Sequence, residues 1–169
     1  MRIELFELLF GMIYLSAGIL GLIPAALLPA PADAPAMQVQ VLYGYAFGLF
    51  PVNVLESCVH LALGGWGVLA WRGRARSTRF ARSLAVIAGA LALFGLIPGL
   101  NTLFGMAPLH GHEIWFHGVT AAIAAYFGWS PNVSIERRAS PVTDRRDEEQ
   151  PVEPDRRTGH PDRRLTNQI

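Results

Sequence analysis

Lysine is absent: all fourteen Lys-plus-Arg positions of this 169-residue chain are arginine, and thirteen acids leave a formal net charge of +1. A chain so nearly balanced has no electrostatic claim on a nucleic-acid partner. The single cysteine, Cys58, excludes an internal disulfide and a cysteine-built metal centre. No glycine-rich nucleotide-binding pattern occurs, because the glycines fall inside apolar runs or their turns. Charge is also missing over long tracts. Between Glu7 and Arg72 only Asp33 and Glu56 carry a formal charge with histidine neutral, and between Arg82 and Glu136 only Glu113. The arginine bias, with abundant Ala, Gly and Pro, suggests a GC-rich bacterial genome.

Uncharged tracts of this length point to membrane spans. Leu5 to Leu28 holds Glu7 near its start and no other acidic or basic side chain, and it exceeds the roughly 20 residues a helix needs to cross hydrocarbon. A cleaved signal peptide is the rival reading, since Ala30-Pro31-Ala32 and Ala34-Pro35-Ala36 resemble cleavage sites; the apolar run is too long and its amino end carries one Arg. The Pro- and Ala-rich segment from Pro24 to Gln40 reads as a loop, and Val41 to Val52 as a short interfacial or re-entrant piece. Further spans are expected at Val54–Trp71, at Phe80–Ile97, and at Ile114–Trp129, the last marginal in length unless His112 and Glu113 begin its helix.

Arginine sets the expected orientation. Arg72, Arg74, Arg76, Arg79 and Arg82 crowd one short loop between spans two and three, while the other two loops contain none. The positive-inside rule then puts both termini and this loop in the cytoplasm of a multi-pass inner-membrane protein. The same five arginines are the expected contacts for anionic lipid headgroups.

A stretch near the centre occurs twice. Phe47-Gly48, Pro51, Glu56 and His60 return 57 positions later as Phe104-Gly105, Pro108, Glu113 and His117. Upstream, Gly21-Leu22-Ile23-Pro24 returns as Gly95-Leu96-Ile97-Pro98. Each unit holds two spans, so both copies would enter the membrane in the same direction. The expected fold is all-α: a four-transmembrane-helix bundle made of two parallel repeats, about 5–72 and 80–129, within a membrane domain of residues 1–129.

The Phe-Pro-Val-Asn run with His60 seven residues after Asn53, followed by a Pro-Leu loop and a second histidine, resembles the bacterial four-span membrane proteins known as domain of unknown function 4383. The likeness covers roughly residues 6–129. In that family the first motif commonly reads Asn-x-x-His-Asn-x-x-His. Here Asn53 and His60 match, while Glu56 and Ser57 occupy the middle positions. The second motif commonly offers Asn and Asp before its histidine, where this chain has His110, Glu113 and His117. The resemblance implies a four-span fold and no particular activity.

The polar groups at the loop-side ends of spans two and four form the candidate site: Asn53, Glu56, His60, His110, His112, Glu113 and His117. Each Glu lies four residues before its His, on one face of a helix. The plainest expectation is a non-enzymatic structural or accessory protein in which these groups hydrogen-bond between helices, with no cofactor. A second is a haem or divalent metal held by His60 and His117, with each Glu orienting a ring and with His110 and His112 as possible added zinc ligands. A third is a small proton-linked transporter or channel using Glu56 and Glu113. Homo-oligomers or membership of a larger membrane complex fit any of these. Nucleophilic catalysis lacks support, since Ser57 and Cys58 give way to Ile114 and Trp115 in the second copy.

Residues 130–169 read as a disordered polyampholyte. Four acid-Arg-Arg triplets, beginning at Glu136, Asp144, Asp155 and Asp162, share the segment with hardly any large apolar residue. An alternative role for these arginines is to bind anionic lipid or an acidic partner.

Overall fold

The structure, a computed structural model, describes residues 2–130. The expectations for the arginine-rich segment beyond lie outside the described residues. Four helices form the body: α1 (Ile3–Gly21), α2 (Val54–Ala70), α3 (Arg74–Gly95) and α4 (His112–Trp129). Two of them, α1 and α3, are long and apolar enough to cross a membrane; at 1.5 Å per residue they measure about 28 and 33 Å.

Helix α1 stops seven residues before the end expected for the first span. Pro24 disfavours helical geometry at Ile23, which is extended, and a short 3-10 turn over Pro24–Ala26 follows. Helix α3 begins six residues earlier than expected, directly after Gly73. Arg74, Arg76, Arg79 and Arg82 therefore belong to its first turns and not to a loop, in keeping with the good helix propensity of Arg. Helix α4 does begin with His112 and Glu113.

The segment expected to be interfacial or re-entrant contributes two strands, and the preceding loop a third, to a small sheet. Strands β1 (Leu27–Leu28), β2 (Gly44–Ala46) and β3 (Phe50–Val52) pair antiparallel in the order β1-β2-β3, with Tyr45 opposite Pro51 and Leu28 opposite Tyr45. Phe47 and Gly48, both at positive φ, make the β2–β3 turn, closed by Leu49 N donating to the Ala46 carbonyl. Two left-handed central residues define the turn type that suits the twist of a hairpin. Phe104 and Gly105 have the same backbone signs, and Met106 N donates to Leu103 O.

Helices pair as two antiparallel hairpins. In the first, a Cβ on Gly11 would lie 2.7 Å from Val68 N, and one on Gly18 would lie 2.8 Å from Leu61 N. Backbones this close require glycine, as in membrane helix pairs built on small residues. In the second hairpin, Gly89 faces Ala121, and Arg82 Nε donates to Gly128 O at 2.8 Å with its guanidinium 5.5 Å above the Trp129 ring. A cation there complements the negative end of the α4 dipole.

The buried stripe of α1 runs Ile3, Phe6, Glu7, Gly11, Tyr14, Gly18 and Gly21, and that of α3 runs Ser77, Phe80, Ala81, Leu84, Ala85, Ala88 and Gly95. Near the α2–α3 turn the core is apolar apart from Glu7 and Ser77: Phe6 stacks on Phe127 at 4.7 Å, and Trp66 meets Phe80 edge-on at 5.1 Å. Toward the long loops it is polar. The outward faces carry Leu5, Met12 and Ile19 on α1, Val59 and Leu69 on α2, Val86 and Leu93 on α3, and Trp115, Val119 and Tyr126 on α4. Charged residues cover this face in a water-soluble bundle; here apolar side chains face out while Glu and His face in.

Candidate functional site

Helices α2 and α4 begin at the loop end of the bundle, and their first turns carry the polar site. Asn53 caps α2: its Oδ1 accepts from Glu56 N at 3.0 Å. Its Nδ2 donates to Met106 O at 2.6 Å and to Val39 O at 3.3 Å. The side chain, 0% exposed, thereby ties the first loop to the second. Gln38 N and Val39 N both donate to Gly105 O, and Gly105 sits too close to Gln38 to admit a Cβ. Asn53 is thus a strut between loops.

One turn further in, the two Glu/His pairs converge. The His60 and His117 ring centroids are 6.4 Å apart. One ligand atom each from Glu56, His60 and His117 lies within 4.8 Å of the others, and all three residues are buried. His117 Nε2 is 3.4 Å from Glu113 Oε2 but is not aligned as a hydrogen bond. Tyr14 of α1 meets the His60 ring edge-on at 5.2 Å, and Phe116 closes the cluster at 5.7 Å from Tyr14. A cavity of about 90 Å³ adjoins Glu56, His60 and His117, walled on its far side by Leu84, Ala88 and Leu91 of α3.

Few of these polar atoms have partners. Both Glu56 oxygens, Glu113 Oε2, His60 Nδ1 and both His117 ring nitrogens make no hydrogen bond among the described residues. A buried group left so costs about 1–3 kcal/mol, which concentrates the unfavourable terms of the fold at one point.

His110 and His112 do not join the cluster. His110 lies 6.4 Å from the Tyr45 ring and His112 lies 6.1 Å from Phe50, both against the sheet. Partial burial holds the His110 pKa below its ordinary value. Arg72, Arg76, Arg79 and Arg82 are exposed and Arg74 half-buried at the opposite end of the bundle, where Arg2 shares a surface pocket with Arg72.

Tyr14 and Glu7, both outside the sequence-based set, are also buried. Tyr14 belongs to the site and shares the α1 stripe with the glycines at intervals of three and four, which is the signal that places it inward. Glu7, 0% exposed with both oxygens unpartnered, lies two helical turns from Tyr14 in the apolar half.

No curated protein and no solved structure matches the chain. Residues 4–130, which include both loops and all but the first residue of the four helices, match the family described as Domain of unknown function (DUF4383). The chain belongs to that family.

Proposed function

We propose that the chain is a non-enzymatic, four-span membrane protein whose core binds one divalent transition-metal ion through Glu56, His60 and His117. The observation that carries the ion is the convergence of three buried ligand atoms within 4.8 Å, most of them without hydrogen bonds. Two imidazoles and a carboxylate suit Zn²⁺, Fe²⁺ or Mn²⁺, and modest side-chain closure brings such atoms to about 2.0–2.2 Å from an ion. Glu113 beside His117 is the group that orients the ring. A dication with two carboxylates and neutral imidazoles carries no net charge, which offsets the cost of ionised acids inside a bilayer. Room for an ion beside the rings, together with the Glu56 carboxylate, favours a metal ion over haem.

Four membrane spans are supported by the apolar outward faces of α2 and α4 as well as α1 and α3. Helix α4 is less hydropathic because His112, Glu113 and His117 lie within it, and two of these are buried. Two parallel repeats are supported by the close contacts: Gly21 meets Ser57 in the first hairpin and Gly95 meets Ile114 in the second, at the offsets of 74 and 57 seen in the sequence. Arg2, Arg72, Arg76, Arg79 and Arg82 on one end are best matched to the cytoplasmic surface and its anionic headgroups.

The test is metal analysis of the full chain purified in detergent, with and without His60→Ala and His117→Ala. The expected result is one ion per chain, lost in each variant, and a melting temperature that rises on adding Zn²⁺ or Mn²⁺. A metal-free preparation whose melting ignores millimolar Zn²⁺, Mn²⁺ and Fe²⁺ removes the ion from the proposal.

A further inference from the structure

A groove of about 560 Å³ runs between α1 and α4 beneath the sheet. It exists because α1 packs against α2 and α4 against α3, while α1 and α4 scarcely touch. Its α1 wall is Leu9, Met12, Ile13 and Leu20, and the small Ser16 and Ala17 leave it open. Phe50 and the exposed Phe47 form its rim on the sheet side. Leu9, Met12 and Ile13 are also among the exposed apolar residues, so the groove opens sideways, toward lipid on the membrane reading.

Its floor differs in character. The groove ends on His60 and Glu113, which are 4% and 2% exposed, and His60 Nδ1 and Glu113 Oε2 make no hydrogen bond. An apolar channel open to hydrocarbon and closed by two side chains that each hold a polar atom without a hydrogen bond is complementary to an amphiphile with one tail and one small polar head. The volume falls in the range of roughly 300–1,000 Å³ typical of a site for one small molecule. A charged head is disfavoured at this depth. A hydroxyl both donates and accepts, so it serves either tautomer of His60 and either protonation state of Glu113.

We infer that this groove is a lateral binding site for a neutral, single-tailed lipid alcohol, with its hydroxyl on His60 and Glu113 and its tail along Leu9, Met12 and Ile13. The inference rests on the membrane reading above and needs no bound ion, since His60 and Glu113 act in it as hydrogen-bonding groups. At this end of the bundle the ligand enters from the leaflet that faces the long loops.

The probe is a diazirine-bearing hexadecanol, photolysed with the full chain in phosphatidylcholine nanodiscs and mapped by peptide mass spectrometry. Labelling is expected to concentrate on residues 9–20 and 47–52 and to be competed by unlabelled hexadecanol but not by hexadecane. Ser16→Phe and Ala17→Phe, which fill the groove from its wall, should each cut that labelling by at least about tenfold, equivalent to ~1.4 kcal/mol. Ser16→Phe should keep the metal content of the parent chain, which separates this site from the ion. Labelling spread equally over Val86 and Leu93 of α3, competition by hexadecane, or labelling that survives both substitutions overturns the inference. A dimer cross-linked through residues 9–20 in place of lipid labelling also overturns it, because a second copy then fills the groove. Alkaline extraction of the same membranes tests the membrane reading separately, since a chain released by alkali fails that reading whatever its labelling.

Discussion

Asn53 Nδ2 donates to the Met106 carbonyl at 2.6 Å, joining the start of α2 to the loop that precedes α4. The same side chain caps α2 through Oδ1, so its two ends serve two structures. Asn53→Asp keeps the cap and loses the donor, whereas Asn53→Ala loses both. The alanine variant is expected to lose about 2–4 kcal/mol, the sum of a cap and an orphaned buried carbonyl, and the aspartate variant to retain the cap's share. Thermal unfolding in detergent reads both; equal melting of the two variants would show that the cap contributes nothing.

Glycines of α2 divide by what they face. A Cβ on Gly64 would collide with Leu15 of α1, and one on Gly67 would lie 2.9 Å from the Gly11 Cα, whereas one on Gly65 would meet nothing within 4 Å. Gly64→Ala and Gly67→Ala should each destabilise the chain by about 1–3 kcal/mol through overpacking. Gly65→Ala should be neutral or slightly stabilising, by up to about 1 kcal/mol, through helix propensity. Indistinguishable melting temperatures for Gly64→Ala and Gly65→Ala would contradict the close α1–α2 approach.

His110 links acidity to the loops. Burial lowers its pKa below the ordinary 6.5, so as pH falls the unfolded chain takes up a proton before the folded protein does. Stability from the neutral ring is therefore fully present above about pH 6.5 and declines below it as pH falls toward the folded value. His110→Gln should flatten the fall in melting temperature between pH 7.5 and pH 5. An unchanged acid slope in that variant would assign the effect to other groups.

Topology is read by reporters. A fluorescent protein fused after residue 130 should report the cytoplasm, and an alkaline phosphatase inserted at residues 31–35 should be active outside it. Replacing the exposed Arg72, Arg76 and Arg79 with Glu should weaken this bias by removing the positive charge that sets it. A dark carboxyl-terminal fluorescent fusion together with an inactive phosphatase at residues 31–35 would invert the assignment.

The approach of His60 to His117 could be posed from the repeat but not answered by it. Spacing of four puts Glu56 with His60 and Glu113 with His117, each on one helix face, yet helix rotation and hairpin packing set the distance between the pairs. Gly11, Gly18, Gly64 and Gly67 draw α1 onto α2, and the loops interlock through Asn53 and Gly105. These long-range contacts turn both His-bearing faces inward. His110 and His112, sequence neighbours of the site, are diverted to the sheet, which arises from short strand pairings that carry little periodic signal.

By itself the sequence determined the four helical segments, the end at which the arginines gather, the doubled motif and the family, because apolar run length, charge and spacing are local properties of the chain. Tertiary structure alone decided that α1 ends at Gly21, that the loop between it and α2 builds a sheet, and that Tyr14 faces His60. It also decided that Glu56, His60 and His117 share one buried volume beside an open groove. Those outcomes depend on which backbones can approach and which polar atoms find partners, and such contacts join residues too far apart along the chain for any local pattern to encode.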